Sequence, residues 1–151
     1  MPFKINIAEK TGKTYKVELE SEDIIGKSLG DNLDGNIILP ELGGYEFQIT
    51  GASDSAGFTV HEKVDGIGLK KLLLSYEKGM KKRPRREGKK KRSTLRPNGL
   101  RLRKTVRGKV ISPAINQINL KIIKEGGKKL SEVFPDQNKP KEEAKPEQLV
   151  E

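Results

Sequence analysis

Between residues 78 and 97 the chain has almost no apolar side chain except Met80 and Leu95, and Lys and Arg dominate the remainder. Such a stretch cannot bury enough surface to offset its ordering entropy, so it packs no core of its own and must be an arm. The charge follows the same division. Residues 1–69 hold 6 Lys/Arg against 12 Asp/Glu, a net of −6. Residues 70–109 hold 18 Lys/Arg against Glu77 and Glu87, a net of +16, and residues 110–151 hold 7 of each sign. A charge of +16 on 40 residues repels itself in a free protein. A polyanion is its natural neutralising partner, with nucleic acid ahead of an anionic membrane surface.

The flanks of the arm read as strands. Phe3, Ile5 and Ile7 alternate with polar residues, as do Tyr15, Val17 and Leu19 beyond the Thr11-Gly12-Lys13 turn, which is a hairpin pattern. Residues 21–36, rich in Gly and Asp with the anchors Ile24, Ile25, Leu29 and Leu33, suggest a structured loop. Short strands are expected at 37–39, 45–50, 57–60 and 69–76, separated by Pro40 and by glycines at the spacing of a small barrel or sandwich. Periodicity leaves 70–76 open between strand and helix. Alternation returns at 100–111 and 115–124, and the tail beyond Phe134 has the Pro, Lys and Glu content of a disordered end. The expected fold is mainly β: a small β-barrel with a basic arm and a disordered C-terminal tail. Its parts are an acidic barrel body over 1–77, the extended arm over 78–99, strands returning to the barrel over 100–134, and the tail over 135–151.

The basic residues fall into two patterns. Lys81, Lys82, Arg83, Arg85 and Arg86, then Lys89, Lys90, Lys91 and Arg92, form a dense run that Pro84 and Gly88 keep out of a helix, and it can follow a phosphate chain. Residues 100–109 have period two, so a strand there places Arg101, Arg103, Arg107 and Lys109 on one face and Leu100, Leu102, Val106 and Val110 toward the core. Same-face positions recur about every 6.7 Å, comparable to the separation of neighbouring phosphates, and arginine's planar fork takes two phosphate oxygens at once. Gly108 inside this strand marks a bulge or a close approach of another backbone. No aromatic residue lies between Tyr76 and Phe134 to stack on bases, so specificity is expected from nucleic-acid shape. A solvated tail or localisation signal is the ordinary reading of a charge run, and the second set of arginines, patterned on a strand with its own apolar face, argues against it.

Enzyme chemistry has little support. There is no cysteine, which removes disulfides, thiolate-bound zinc and cysteine catalysis. Gly26-Lys27-Ser28 imitates the end of a P-loop, but Ser21 stands where that motif needs its first glycine. Asn32, Asp34, Gly35 and Glu41 have the spacing of a calcium loop, yet Gly30 holds the first ligand position and Pro40 intrudes. His61 could be matched with Asp54 and Ser53 or Ser55, but nothing positions them, and His61 is expected to be a surface or strand residue. No apolar run approaches a membrane span. The expectation is a soluble cytoplasmic protein, not an enzyme, with no cofactor, metal, membrane or small-molecule substrate.

One family carries the same residues. Gly44-Tyr45, Ile49-Thr50-Gly51, Asp54, Gly57-Phe58 and Lys71-Leu72-Leu73-Leu74-Ser75 are followed by the run from Leu100 through Arg101-Leu102-Arg103-Lys104-Thr105-Val106-Arg107-Gly108. Then come Ile115-Asn116-Gln117-Ile118-Asn119-Leu120 and Ile122-Ile123-Lys124-Glu125-Gly126, with Ile25-Gly26-Lys27, Gly30-Asp31 and Asp34-Gly35 upstream. Together they resemble the eukaryotic-type ribosomal protein S-six family of the small subunit, in its short archaeal form, over residues 3–134. Ala52, Thr59 and Val60 depart from the usual family residues. The resemblance implies an amino-terminal β-barrel and a structural and assembly role on small-subunit ribosomal RNA, beside neighbouring ribosomal proteins. The expected RNA-binding residues are those of the dense run with Arg96, and Arg101, Arg103, Lys104, Arg107 and Lys109 on the strand. A separate RNA chaperone or assembly factor is the alternative.

Overall fold

Strict alternation builds the first hairpin. Phe3, Ile5 and Ile7 on β1 (Phe3–Ala8) and Tyr15, Val17 and Leu19 on β2 (Thr14–Leu19) are all buried, while their neighbours face out. The strands pair antiparallel with Ile5 opposite Val17, across a turn in which Gly12 has φ +93, a left-handed conformation that glycine adopts without a Cβ clash. The computed structural model describes residues 2–20, 22–75, 80 and 99–138.

The strand expected at 37–39 is absent. After β3 (Asn32–Asp34) the chain makes two 3₁₀ turns, Gly35–Ile37 and Pro40–Leu42. The amides of Ile38 and Leu39 both turn back to the Gly35 carbonyl, and Pro40, which has no amide hydrogen, opens the second turn. The apolar run here serves packing, with Ile38 and Leu42 buried. Of the expected strand at 57–60, only Thr59 and Val60 pair, each through a single bridge.

β4 (Glu46–Asp54) and β7 (Ile115–Lys124) form the middle of a five-stranded sheet of order β2-β1-β7-β4-β3, in which only β1 and β7 run parallel. Ile5, Ile7, Phe47, Ile49, Ile118 and Leu120 line its core face. β5 (Leu69–Leu74) and β6 (Leu102–Arg107) form a separate antiparallel ribbon. The open choice at 70–76 is therefore a strand through Leu74, and Tyr76 lies outside the described residues.

The expected closed barrel is not formed among the described residues. Sheet and ribbon are joined by the single bridges Ser28↔Val110, Ser53↔Thr59 and Val60↔Arg107. Closure requires continuous ladders around the whole circuit, and turns at residues 55–56 and 62–63, with bends at 66–68, interrupt them. β7 returns to the centre of the main sheet, but β6 stays in the ribbon. The apolar face of β6 accordingly fills a second, smaller cluster: Val106 packs with Val64, Leu74 and Met80, flanked by Leu72, Leu100 and Leu102. Met80, from the expected arm, thus has a packing role.

The tail does not become free at residue 135. After α1 (Leu130–Val133), the ring of Phe134 packs against Tyr15 with centroids 5.7 Å apart. The Lys16 amide donates to Gln137 Oε1 (2.7 Å), and Gln137 Nε2 donates to the Lys16 carbonyl (2.8 Å). Asn138 Nδ2 donates to the Thr14 carbonyl (3.1 Å). Residues 135–138 therefore cover the outer edge of β2, where unpaired backbone would otherwise stand open. The expected disorder of 139–151 concerns residues outside those described.

Candidate nucleic-acid interface

Cross-strand register fixes the two faces of the ribbon. Lys70, Leu72 and Leu74 stand opposite Val106, Lys104 and Leu102 on the face that covers the small cluster. Leu69, Lys71 and Leu73 stand opposite Arg107, Thr105 and Arg103 on the outer face. There Leu73 is 56% and Leu69 48% exposed, beside exposed Lys71 and Arg103. Arg101 is exposed just before the strand, and Lys104 is half-buried at the margin of the inner face. Arg101, Arg103 and Lys104 make no ion pair among the described residues. Lys71, absent from the expected site, extends the basic surface on the outer face, and Lys70, also exposed and absent from that site, lies on the inner face.

Arg107 and Lys109 share the sequence pattern of Arg101 and Arg103 but not their freedom. Arg107 Nε and Nη2 both donate to Asp54 Oδ2, at 3.1 and 3.0 Å, and Nη1 donates to the Ile67 carbonyl at 3.2 Å. The two side chains are only 15% and 3% exposed. Asp54 Oδ1 is also occupied, by the Phe58 amide at 2.8 Å. Lys109 Nζ meets Asp65 Oδ1 at 2.7 Å on the surface. That hydrogen bond first, and the opposite charge second, hold the Asp65 carboxyl below the usual range and raise the Lys109 ammonium above its own. The backbone that approaches Gly108 is the chain's own: a Cβ there would lie 1.9 Å from the Gly66 carbonyl oxygen, and the Gly108 amide donates to the Gly68 carbonyl.

The remaining expected contacts, Lys81, Lys82, Arg83, Arg85, Arg86, Lys89, Lys90, Lys91, Arg92 and Arg96, lie outside the described residues. His61 is neither on the surface nor in a strand. It is 6% exposed, and its Nδ1 accepts the Lys63 amide at 3.2 Å, while Asp54 is engaged by Arg107. Gly26-Lys27-Ser28 is a turn, pinned by the Gly26 amide on the Ile111 carbonyl and the Ile111 amide on the Lys27 carbonyl.

Comparison with known proteins gives the same family as the residues. The Ribosomal protein S6e family matches residues 3–98 and 94–135. Small ribosomal subunit protein eS6 of Thermoplasma acidophilum is 40% identical over 131 residues, covering 85% of this chain and 93% of that protein. The protein of the same name from Methanocaldococcus jannaschii is 38% identical, covering 83% of this chain and 84% of its own. That of Methanosphaera stadtmanae is 35% identical over 95% of this chain and the whole of its own. With most of its length matched by both the family and these archaeal relatives, the chain belongs to the ribosomal protein S6e family.

Proposed function

We propose that this protein is a structural constituent of the small ribosomal subunit, bound to ribosomal RNA in the cytoplasm and supporting translation and subunit assembly. Its relatives carry the name of a small-subunit protein. The observation that carries the RNA reading is the +16 segment over 70–109, in which Arg101, just before β6, and Arg103, on it, are exposed and make no ion pair among the described residues. Phosphate contacts by these arginines, Lys104 and the basic run at 81–96 supply affinity, and RNA shape supplies recognition. Arg107 and Lys109 act chiefly by holding β6 against its neighbours. The acidic N-terminal body, with 6 Lys/Arg against 12 Asp/Glu over residues 1–69, leaves most of its surface to solvent or neighbouring ribosomal proteins. Sedimentation of small subunits through a high-salt wash tests this: the protein should remain with the subunits near one copy each. Release as free protein, or a substoichiometric amount on mature subunits, would contradict it.

A further inference from the structure

Ile118 and Leu120 point into the core, so Gln117 and Asn119 stand on the opposite face of β7. Over that face, Leu29, Ser53 and residues 59–63 border an open cleft of about 520 Å³, a size in the range of small-molecule sites. Gly51 lies in register with Asn119, which leaves the floor there without a side chain.

The polar groups around it are held in fixed orientations. Asn119 Oδ1 accepts from both Asn6 Nδ2 and Gln117 Nε2, each at 3.0 Å. Asn119 Nδ2 is left as a donor and Gln117 Oε1 as an acceptor, with no partner among the described residues. His61 Nδ1 accepts a backbone amide, so the hydrogen of the neutral ring sits on Nε2, a further donor. His61 is more than nine-tenths buried, and its Nε2 has no partner among the described residues.

We propose that this cleft seats one unpaired base of the RNA that the chain binds, with the base edge meeting Asn119, Gln117 and His61. The inference rests on the RNA-binding function proposed above. The chemistry favours a base over a phosphate, because a phosphate only accepts hydrogen bonds whereas base edges present donors and acceptors together, complementing this mixed set. Leu29 and Val60 give the ring apolar contact. Lys4, exposed and in register beside Gln117 on β1, and Lys121, exposed two positions beyond Asn119, stand on the same face for the flanking phosphates. The site therefore adds base readout to a protein that has no aromatic residue between Tyr76 and Phe134 for stacking.

The test measures binding of the full-length protein and its Gln117→Leu variant to small-subunit ribosomal RNA across a salt series, with the melting temperature of each. The variant removes the acceptor and the anchor of Asn119 at similar volume. RNA affinity should fall roughly ten-fold, with an unchanged salt slope because a base contact releases no counterions. Equal affinity would overturn the proposal. If the variant melts early, NMR of the unaltered protein decides: the side-chain amide signals of Asn119 and Gln117 must move on RNA binding, and their constancy overturns the proposal. Movement with AMP, CMP, GMP or UMP but not with RNA also overturns it, in favour of a free-nucleotide site. Failure of the unaltered protein to bind RNA would overturn the proposed function itself, which separates that failure from failure of the cleft.

Discussion

Asp54 at the end of β4 and Arg107 at the end of β6 form a two-nitrogen ion pair on one carboxylate oxygen, 3.0 and 3.1 Å long, that ties the main sheet to the basic ribbon. The same arginine extends the link through its backbone: its amide donates to the Thr59 carbonyl and its carbonyl accepts the His61 amide. Removing either partner leaves the other charge buried, which costs about 3–5 kcal/mol for pairs of this kind. Asp54→Ala should therefore lower stability by that order in urea unfolding. A change under about 0.5 kcal/mol, the scale of a neutral surface substitution, would contradict the assignment.

Arg101→Ala and Arg103→Ala should behave in the opposite way. Both side chains are exposed and unpaired among the described residues, so stability should stay within about 0.5 kcal/mol. RNA affinity should fall, and each lost phosphate contact should flatten the log–log salt slope by about 0.7–0.9. Arg107→Ala should lose stability together with any affinity. Parallel melting and filter-binding measurements on the three variants separate the roles.

Gly108→Ala should destabilise by roughly 2 kcal/mol or more, because the added carbon meets a backbone carbonyl that cannot rotate away. Gly68→Ala, with open space around its Cβ, is the control and should cost less. Equal melting temperatures for the two variants would show that the 66–68 loop yields freely.

The Asp65–Lys109 pair gives a pH signature. The depressed Asp65 value means its contribution is present above the unfolded carboxylate value and lost as pH falls through the folded one. The raised Lys109 value means its contribution is present below the unfolded lysine value and lost as pH rises through the folded one. The pair therefore acts across neutral pH and fades at both extremes. An NMR titration should place the Asp65 midpoint below the ordinary carboxylate range and return it there in Lys109→Ala. An unmoved midpoint would exclude the pairing in solution.

Gln137→Ala should expose the Lys16 amide, whose acceptor is the Gln137 side chain. Hydrogen exchange at Lys16 should quicken while that of Val17, inside the hairpin, holds. Unchanged exchange at Lys16 would contradict docking of 135–138 on β2.

How far the sequence alone reached depends on how local each cause is. The β1–β2 hairpin and the Ile118-Leu120-Ile122 face of β7 were readable because alternation is local and each strand has one wet face. Residues 37–39 read as a strand from their apolar run, but the hydrogen bonds to Gly35 that curl them depend on local geometry outside that pattern. Alternation in β6 correctly separated Arg103 from Val106, yet could not say that Val106 fills a second cluster instead of the main core. It also made Arg101, Arg103 and Arg107 look equivalent. What distinguishes Arg107 is Asp54, 53 positions away, and only the fold brings them together. The polar cleft was hidden for the same reason, since Asn6, His61, Gln117 and Asn119 lie on three separate segments with no motif spacing.

A salt titration of the purified protein against small-subunit ribosomal RNA asks the decisive question. With roughly eight phosphate contacts, log affinity should fall against log salt with a slope of about −6 to −7, and the Arg101→Ala, Arg103→Ala double variant should be shallower by about 1.5. A slope near zero, or a double variant with the same slope as the unaltered protein, would contradict RNA binding through this ribbon.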